Sequence, residues 1–356
     1  MTRRALHFAG GGFARRLRLA VWAALLLPQL APAAAPDWKP ERRAEIIVTT
    51  APGGGNDKVA RVIQKIVQDR KLVDLAPTVV NKPGGSGVVG MSYLNQHAGD
   101  GHYLAITSVT FLAESINGRG IAYTDVTPVA LLFNEYVGFG VRADSRIKSG
   151  RELIALLKAD AGSVSAAISG VGNHNHIALG LVTKAAGGDV KKLKVVSFNS
   201  GGEALTAALG GHVDLVVAPF ATLLPQVQGG RLRVLGITAP RRVSGVLANV
   251  PTWGEQGAPA VISNWRVVLG PRGMGAAQTA YWENVLARVV AADDWNAMLE
   301  QDQLSGGFLK SAETRDFLKA QYEELKAVMN ELGLLRERRF YVARTQRAIA
   351  APRCFQ

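Results

Sequence analysis

From Glu45 onward the chain repeats one unit: a short β-branched apolar run, a glycine-rich turn, and an amphipathic stretch at helical spacing. Ile46-Ile47-Val48 opens the first unit, with Gly53-Gly54-Gly55 after it and apolar positions at Val59, Ile63, Ile66 and Val67 beyond. That spacing keeps all four side chains on one helix face. Thr78-Val79-Val80 opens the second unit, which runs through another Gly-rich turn to Met91 and Leu94, and residues 103–106 begin a third. Strands separated by helices lie parallel with crossovers, so the repetition predicts a doubly wound α/β architecture.

The alternation continues in a second block. Strands are predicted over 129–133, 137–141, 164–168, 193–198, 213–217, 232–237 and 265–269, with a helix over 151–158. Residues 276–290 and 312–332 read as helices. A chain of 356 residues exceeds one compact core and suits two domains. No internal repeat, low-complexity linker or membrane-spanning run interrupts the body, so two domains must be joined by strands that cross between them.

The formal charge of +13 raises the question of nucleic acid or anionic membranes, and its placement answers it. Residues 1–35 hold five Arg and no acid; residues 336–356 hold six Arg against Glu337. Taking +5 for each end from +13 leaves +3 for residues 36–335, so the body is close to neutral. A nucleic-acid binder is therefore not expected.

The Arg-rich stretch to Arg18 precedes an apolar run from Leu19 to Leu27, too short to span a bilayer. With Ala33-Ala34-Ala35 after it, the segment reads as a signal peptide over 1–35, cleaved after Ala35. An uncleaved anchor is the alternative. Arg15-Arg16 is half of a twin-arginine signal that the following residues do not complete, and no Cys follows for a lipid anchor. The single Cys354 excludes an internal disulfide and any Cys metal cage, so an exported body must rely on core burial. The tail over 336–356 is expected to be disordered.

Four turns carry the chemistry. In Ala51-Pro52-Gly53-Gly54-Gly55-Asn56-Asp57, glycines let the backbone approach a ligand, Asn56 can cap the next helix, and Asp57 sits in its first turn. A helix start with bare N–H groups is a ready anion site. Asn81-Lys82-Pro83-Gly84-Gly85-Ser86-Gly87 repeats the arrangement. Gly85 to Gly90 matches G-x-G-x-x-G, but after the second strand and without the ribose-binding acid about 20 residues on. Neither turn ends in the G-K-[ST] of a phosphate loop. Two uncharged turns would instead line the carboxyl edge of one sheet, where such folds bind ligands.

The third turn is Ser169-Gly170-Val171-Gly172-Asn173-His174-Asn175-His176. A spacing of two at a helix start points the histidines to different faces, and no third metal ligand is evident. Ligand binding or helix capping by Ser169 and Asn173 fits better, and G-x-S-x-G is absent. The fourth is Phe198-Asn199-Ser200-Gly201-Gly202, with Gly210-Gly211-His212-Val213-Asp214 closing the next helix. Asp214 is either a ligand-facing carboxylate or a loop cap. No paired carboxylates, Ser/His/Asp set or Cys/His set is legible, so no enzyme is expected.

These segments, in this order, resemble the extracytoplasmic receptors of the tripartite tricarboxylate transporter family, also called Bug proteins. The resemblance runs from about Glu45 to Leu334. It rests on Ala51-Pro52-Gly53-Gly54 with Asp57 and Arg61, Asn81-Lys82-Pro83-Gly84, Asp100-Gly101-His102-Tyr103-Leu104, and Ser169-Gly170-Val171-Gly172 with His176. Gly210 to Asp214, Gly230 to Leu235, Val250-Pro251-Thr252, Glu255-Gln256-Gly257 and Trp265 complete it.

The resemblance implies a two-lobed type II periplasmic binding fold closing on its ligand, a small organic carboxylate, without cofactor or metal. It implies lobe 1 over 36–131 plus 236–335 and lobe 2 over 132–235, with hinges near 127–133 and 231–237. Gly53, Gly54, Gly55, Asp57, Gly84, Gly85, Ser86 and Gly87 would bind from one lobe. Ser169, Gly170, Asn173, His176, Phe198 and Asp214 would face them from the other. The partners implied are one large and one small permease subunit, for a monomeric receptor; a sensor is the alternative destination. Asn173 stands where the family usually has Ser, Phe198 where it has Tyr, and Val88 where Asn is frequent. These departures fall mainly on the wall where selectivity should reside. The rival class is a nucleotide-dependent enzyme built on the two Gly-rich turns.

Overall fold

The computed structural model describes residues 38–198 and 200–335; the expected signal peptide and the basic tail with Cys354 lie outside the described residues. The first block runs β1 (Glu45–Val48), α1 (Gly55–Asp69), β2 (Thr78–Asn81), α2 (Val88–Asn95), β3 (Tyr103–Ser108), α3 (Val109–Ile116) and β4 (Val126–Asn134). The second runs β5 (Val137–Arg142), α4 (Gly150–Ala159), β6 (Ser165–Ile168), α5 (His174–Ala185), β7 (Lys194–Ser197), α6 (Gly201–Leu209), β8 (Leu215–Pro219), α7 (Phe220–Gln228) and β9 (Leu232–Ile237). The chain then returns through β10 (Arg266–Pro271), α8 (Ala276–Val290), α9 (Asp293–Gln301), β11 (Ser305–Leu309) and α10 (Ser311–Glu331).

Two sheets result, flanked by helices. The first has the order β11-β4-β10-β3-β1-β2 and the second β7-β6-β8-β5-β9. β1 runs parallel to β2 and β3, and β6 parallel to β7 and β8. The sheets are nevertheless mixed, which corrects the expectation of parallel strands throughout. β4 leaves the first sheet for the second, and β10 comes back from it between β3 and β4, so β10 runs antiparallel to both. β5 enters the second sheet and β9 leaves it, and these neighbours are likewise antiparallel. The chain's two crossings set these directions, not the local sequence.

The outgoing crossing is short, lying between Asn134 and Val137. On the return, residues 238–262 still pack on the second sheet: Thr252 bridges Ile237, and the Trp253 ring meets Phe139 edge-on at 4.8 Å. Tyr136 bridges Ser263, and the Asn264 N–H donates to the Glu135 carbonyl at 2.7 Å, so the two crossing segments run side by side. The expected hinge stretches and lobe limits near 131 and 235 fall inside β4 and β9, short of these crossings. α10 makes a third link. Its first turn bonds β4 (Ser311 Oγ to the Pro128 carbonyl, 2.8 Å), and its last turn pairs Glu331 with Lys184 of α5.

Burial explains the strand patterns. Along β1, Ile46 and Val48 face one core and Ile47 the other, and all three are buried. The four apolar side chains of α1 are buried against the first sheet, and each contributes about 1.5–3 kcal/mol by leaving water. A Cβ on Gly180 of α5 would collide with Leu332 beyond α10, so that glycine lets the last helix close on the second lobe.

Candidate cleft between the lobes

A cleft of about 380 Å³ opens between the carboxyl ends of the strands of the two sheets. Its walls are residues 49–51 after β1, Pro83, Gly84, Ser86 and Gly87 after β2, Thr107 and Ser108 at the end of β3 with Thr110 and Glu114 beyond it, and 169–173 after β6. Every contributing segment follows a parallel strand at its carboxyl end, where such sheets leave backbone groups unpaired.

The first loop is pinned by Asp57, which is buried and turned into the protein. Its carboxylate accepts from the Gly53 N–H, Arg61 Nε and Asn81 Nδ2, each at 2.9 Å. The Arg61 hydrogen bond, helped by the Gly53 and Asn81 bonds against burial, holds the Asp57 carboxyl well down, at about 2. Asn81 also donates to the Thr50 carbonyl at 3.1 Å, so one carboxylate and one amide tie the first two loops together. Asn56 does not cap α1. The cap residue is Gly54, which offers no side chain, and the buried Asn56 amide donates to Thr49 Oγ1 at 3.3 Å. Gly55 is required by crowding, because a Cβ there would stand 2.9 Å from the Arg266 guanidinium.

The second loop has an unusual backbone. Gly85, Ser86 and Gly87 take φ of +54°, +56° and +97°, three successive residues in the left-handed region, after Gly84 at +132°. The Gly87 N–H turns back onto the Gly84 carbonyl at 3.0 Å, so the N–H groups this turn can offer an anion are those of Gly85 and Ser86. Ser86 is no glycine, and holding it at positive φ costs about 1 kcal/mol or more. A Cβ on Gly87 would touch Thr49 at 3.3 Å, so this loop lies close against the first.

The third loop is self-contained. Asn173 caps α5, its Oδ1 accepting from the N–H groups of Asn175 (3.0 Å) and His176 (3.2 Å), while Nδ2 donates to the Ser169 carbonyl at 2.7 Å. Ser169 Oγ accepts from Asn175 Nδ2 at 2.9 Å. Gly172 N–H donates to His176 Nδ1 at 3.1 Å, and burial lowers the pKa of that imidazole, so it serves as a neutral acceptor.

Of the predicted residues, Gly84, Ser86, Gly87, Ser169, Gly170 and Asn173 line the cleft. Gly53, Gly54, Gly55, Asp57, Gly85 and His176 shape the lining loops from behind. Phe198 follows β7, its N–H bonding the Ile168 carbonyl at 2.9 Å and its half-buried ring packing into the second-sheet core. Asp214 sits at the opposite edge of that sheet. It accepts from the Ser165 N–H (2.9 Å) and hydroxyl (2.7 Å) at the amino ends of β6 and β8, which corrects the expectation of a ligand-facing carboxylate.

The sequence reading missed Thr49, Thr50, Thr107, Ser108, Thr110 and Glu114. The rule that flagged the ends of the first two strands, applied to β3, would have found Thr107 and Ser108.

Beneath the cleft, where the crossing segments meet, lies a buried polar cluster. Arg266 pairs with Glu135 at 3.1 Å, and Asn264 Nδ2 donates to the same carboxylate oxygen at 2.9 Å. His174, at the start of α5, has both ring nitrogens sealed from solvent and without hydrogen-bond partners. Burial, with a smaller push from the Arg266 charge, drops its pKa to about 3.

A sequence model described as tripartite tricarboxylate transporter family receptor matches residues 59–334. The chain is 29% identical to Protein BugT of Bordetella pertussis over 243 residues, 67% of this chain and 73% of that protein. Its fold is similar to MatC from Rhodopseudomonas palustris with bound malate (TM-score 0.69, 23% identity, 82% of this chain and 99% of that one). A second R. palustris protein, with adipate, gives TM-score 0.71 at 21% identity over 83% of this chain and 98% of its own.

Proposed function

The chain belongs to the tripartite tricarboxylate transporter receptor family, and from that membership we propose that it captures a small carboxylate between its lobes in the periplasm. The bound solute passes to a membrane permease of one large and one small subunit. The observation that carries this reading is the left-handed run through Gly85, Ser86 and Gly87 at the wall of the cleft. The N–H groups of Gly85 and Ser86 in that turn suit a carboxylate, and a serine strained at positive φ is retained where function needs that shape. The paired crossing segments at residues 135–136 and 263–264 act as the hinge, and ligand shifts the population toward the closed state. Malate and adipate, held by the two R. palustris proteins, mark the size of solute to try first.

Capture without conversion fits a cleft walled by hydroxyls and backbone, in which Glu114 is the one ionisable lining residue among the described residues. The test is a thermal melt of the protein against small carboxylates, their uncharged amides, NAD and ATP. A ligand at 100 times its Kd stabilises by about 2.7 kcal/mol, so a true solute raises the melting temperature and its amide does not. A shift with nucleotides alone would replace this reading with the nucleotide-dependent enzyme.

A further inference from the structure

Away from the cleft, one side chain reaches from the first lobe to the second. Gln303, in the turn between α9 and β11, holds a left-handed backbone at φ +54°. Glycine is the usual residue where a helix ends in that conformation, so a Gln here keeps a side chain at a backbone cost. Its Oε1 accepts from the Val246 N–H at 3.0 Å, and its Nε2 donates back to the Glu300 carbonyl at 2.6 Å, which fixes the amide. Gly245 makes room for it: a Cβ there would stand 2.5 Å from the Gln303 oxygen. The two partners belong to different lobes, since Leu304 packs in the first-sheet core and Leu247 in the second.

The strand orders place this contact across the junction from the cleft. In the first sheet the crossings use β4 and β10; β3, β1 and β2, whose ends wall the cleft, lie on one side of them and β11 on the other. In the second sheet the crossings use β5 and β9; β8, β6 and β7 lie on one side, and the return segment continues beyond β9 on the other. A rotation about the junction that narrows the cleft therefore draws Gln303 away from Gly245 and Val246. We propose that the Gln303–Val246 contact is a latch that holds the lobes apart and that ligand must break on closing. This rests on the reading of residues 135–136 and 263–264 as the hinge. One such hydrogen bond biases the two states by roughly two- to tenfold, and the apparent ligand affinity falls by the same factor.

Spin-label distances in the ligand-free protein test this. With Cys354→Ser, labels at Val89→Cys of α2 and Thr206→Cys of α6 occupy exposed sites of opposite lobes, on the helices after the edge strands β2 and β7. Gln303→Gly removes the side chain and suits the backbone, and it should raise the ratio of short to long distances about two- to tenfold. Gly245→Ala, which expels the Gln303 side chain, should act in the same direction. Added to Gln303→Gly it should shift the ratio no further, whereas strain at residue 245 alone would add to the first effect. If Gly245→Ala, at φ +72°, does not fold, Gln303→Gly decides alone. Two populations whose ratio Gln303→Gly leaves unmoved or shifts toward long distances, or an additive double variant, overturn the latch and leave the closing of the lobes standing. A single unchanged distance in every protein counts against latch and hinge alike.

Discussion

Replacing His174 with Phe should flatten the acid limb of the protein's stability curve. Both ring nitrogens of His174 are sealed and without partners, and its pKa sits near 3 in the fold. In the unfolded chain it returns to about 6.5. Above pH 6.5 the ring is neutral in both states and contributes no pH dependence. Below that, the unfolded chain takes the proton and the folded one refuses it, so stability falls by about 1.36 kcal/mol per pH unit until the folded pKa is reached. Between pH 7.5 and 5.0 the loss comes to about 2 kcal/mol, and it depends on the 6.5 value far more than on how low the folded pKa lies. His174→Phe removes the titration and fills the same apolar surroundings, while all other titrating groups are common to both proteins. Urea unfolding at pH 7.5 and 5.0 should therefore show the wild-type stability falling by about 2 kcal/mol more than that of the variant. Parallel losses in the two proteins would mean that His174 is hydrated or partnered in the folded state, and the description of the junction beneath the cleft would be wrong.

Asp57→Asn should cost about 2 kcal/mol at pH 7, because the Asp57 carboxyl is held near 2 against an ordinary value near 4. That contribution is complete above the ordinary value and disappears as the pH falls through 2, so melts of the two proteins should converge in acid; a constant gap would contradict it. Gly55→Val should destabilise by about 1–3 kcal/mol, since its Cβ would lie 2.9 Å from a buried, ion-paired guanidinium. An unchanged melting temperature would show that Arg266 can withdraw from under the first loop.

What the sequence made legible is what local chemistry decides. β1 and β2 stand out because β-branched runs end in glycine-rich turns, and β6 because its short apolar run ends in Ser169-Gly170; the turns after these three supply most of the cleft. The direction of β10 was hidden, since Arg266–Pro271 reads like any buried strand and only the return crossing makes it antiparallel. β11 was hidden because Ser305-Gly306-Gly307 lacks strand propensity; it is an edge strand with an irregular register against β4. Acids were read least well. Asp57 and Asp214 stand in turns that any ligand site could use, but the first is consumed by Arg61 and Asn81 and the second by Ser165. Glu114 lies on a short helix that is apolar around it, where a carboxylate looks like an interruption until the fold turns it to the cleft.

The most direct test of the account is a crystal structure with the carboxylate that gives the largest melting shift. The account requires its carboxylate to be enclosed between the loops at 83–87 and 169–173, with the oxygens accepting the backbone N–H groups of Gly85 and Ser86 in the left-handed turn. A carboxylate held elsewhere, or bound in the cleft with its oxygens turned away from that turn, would contradict the account.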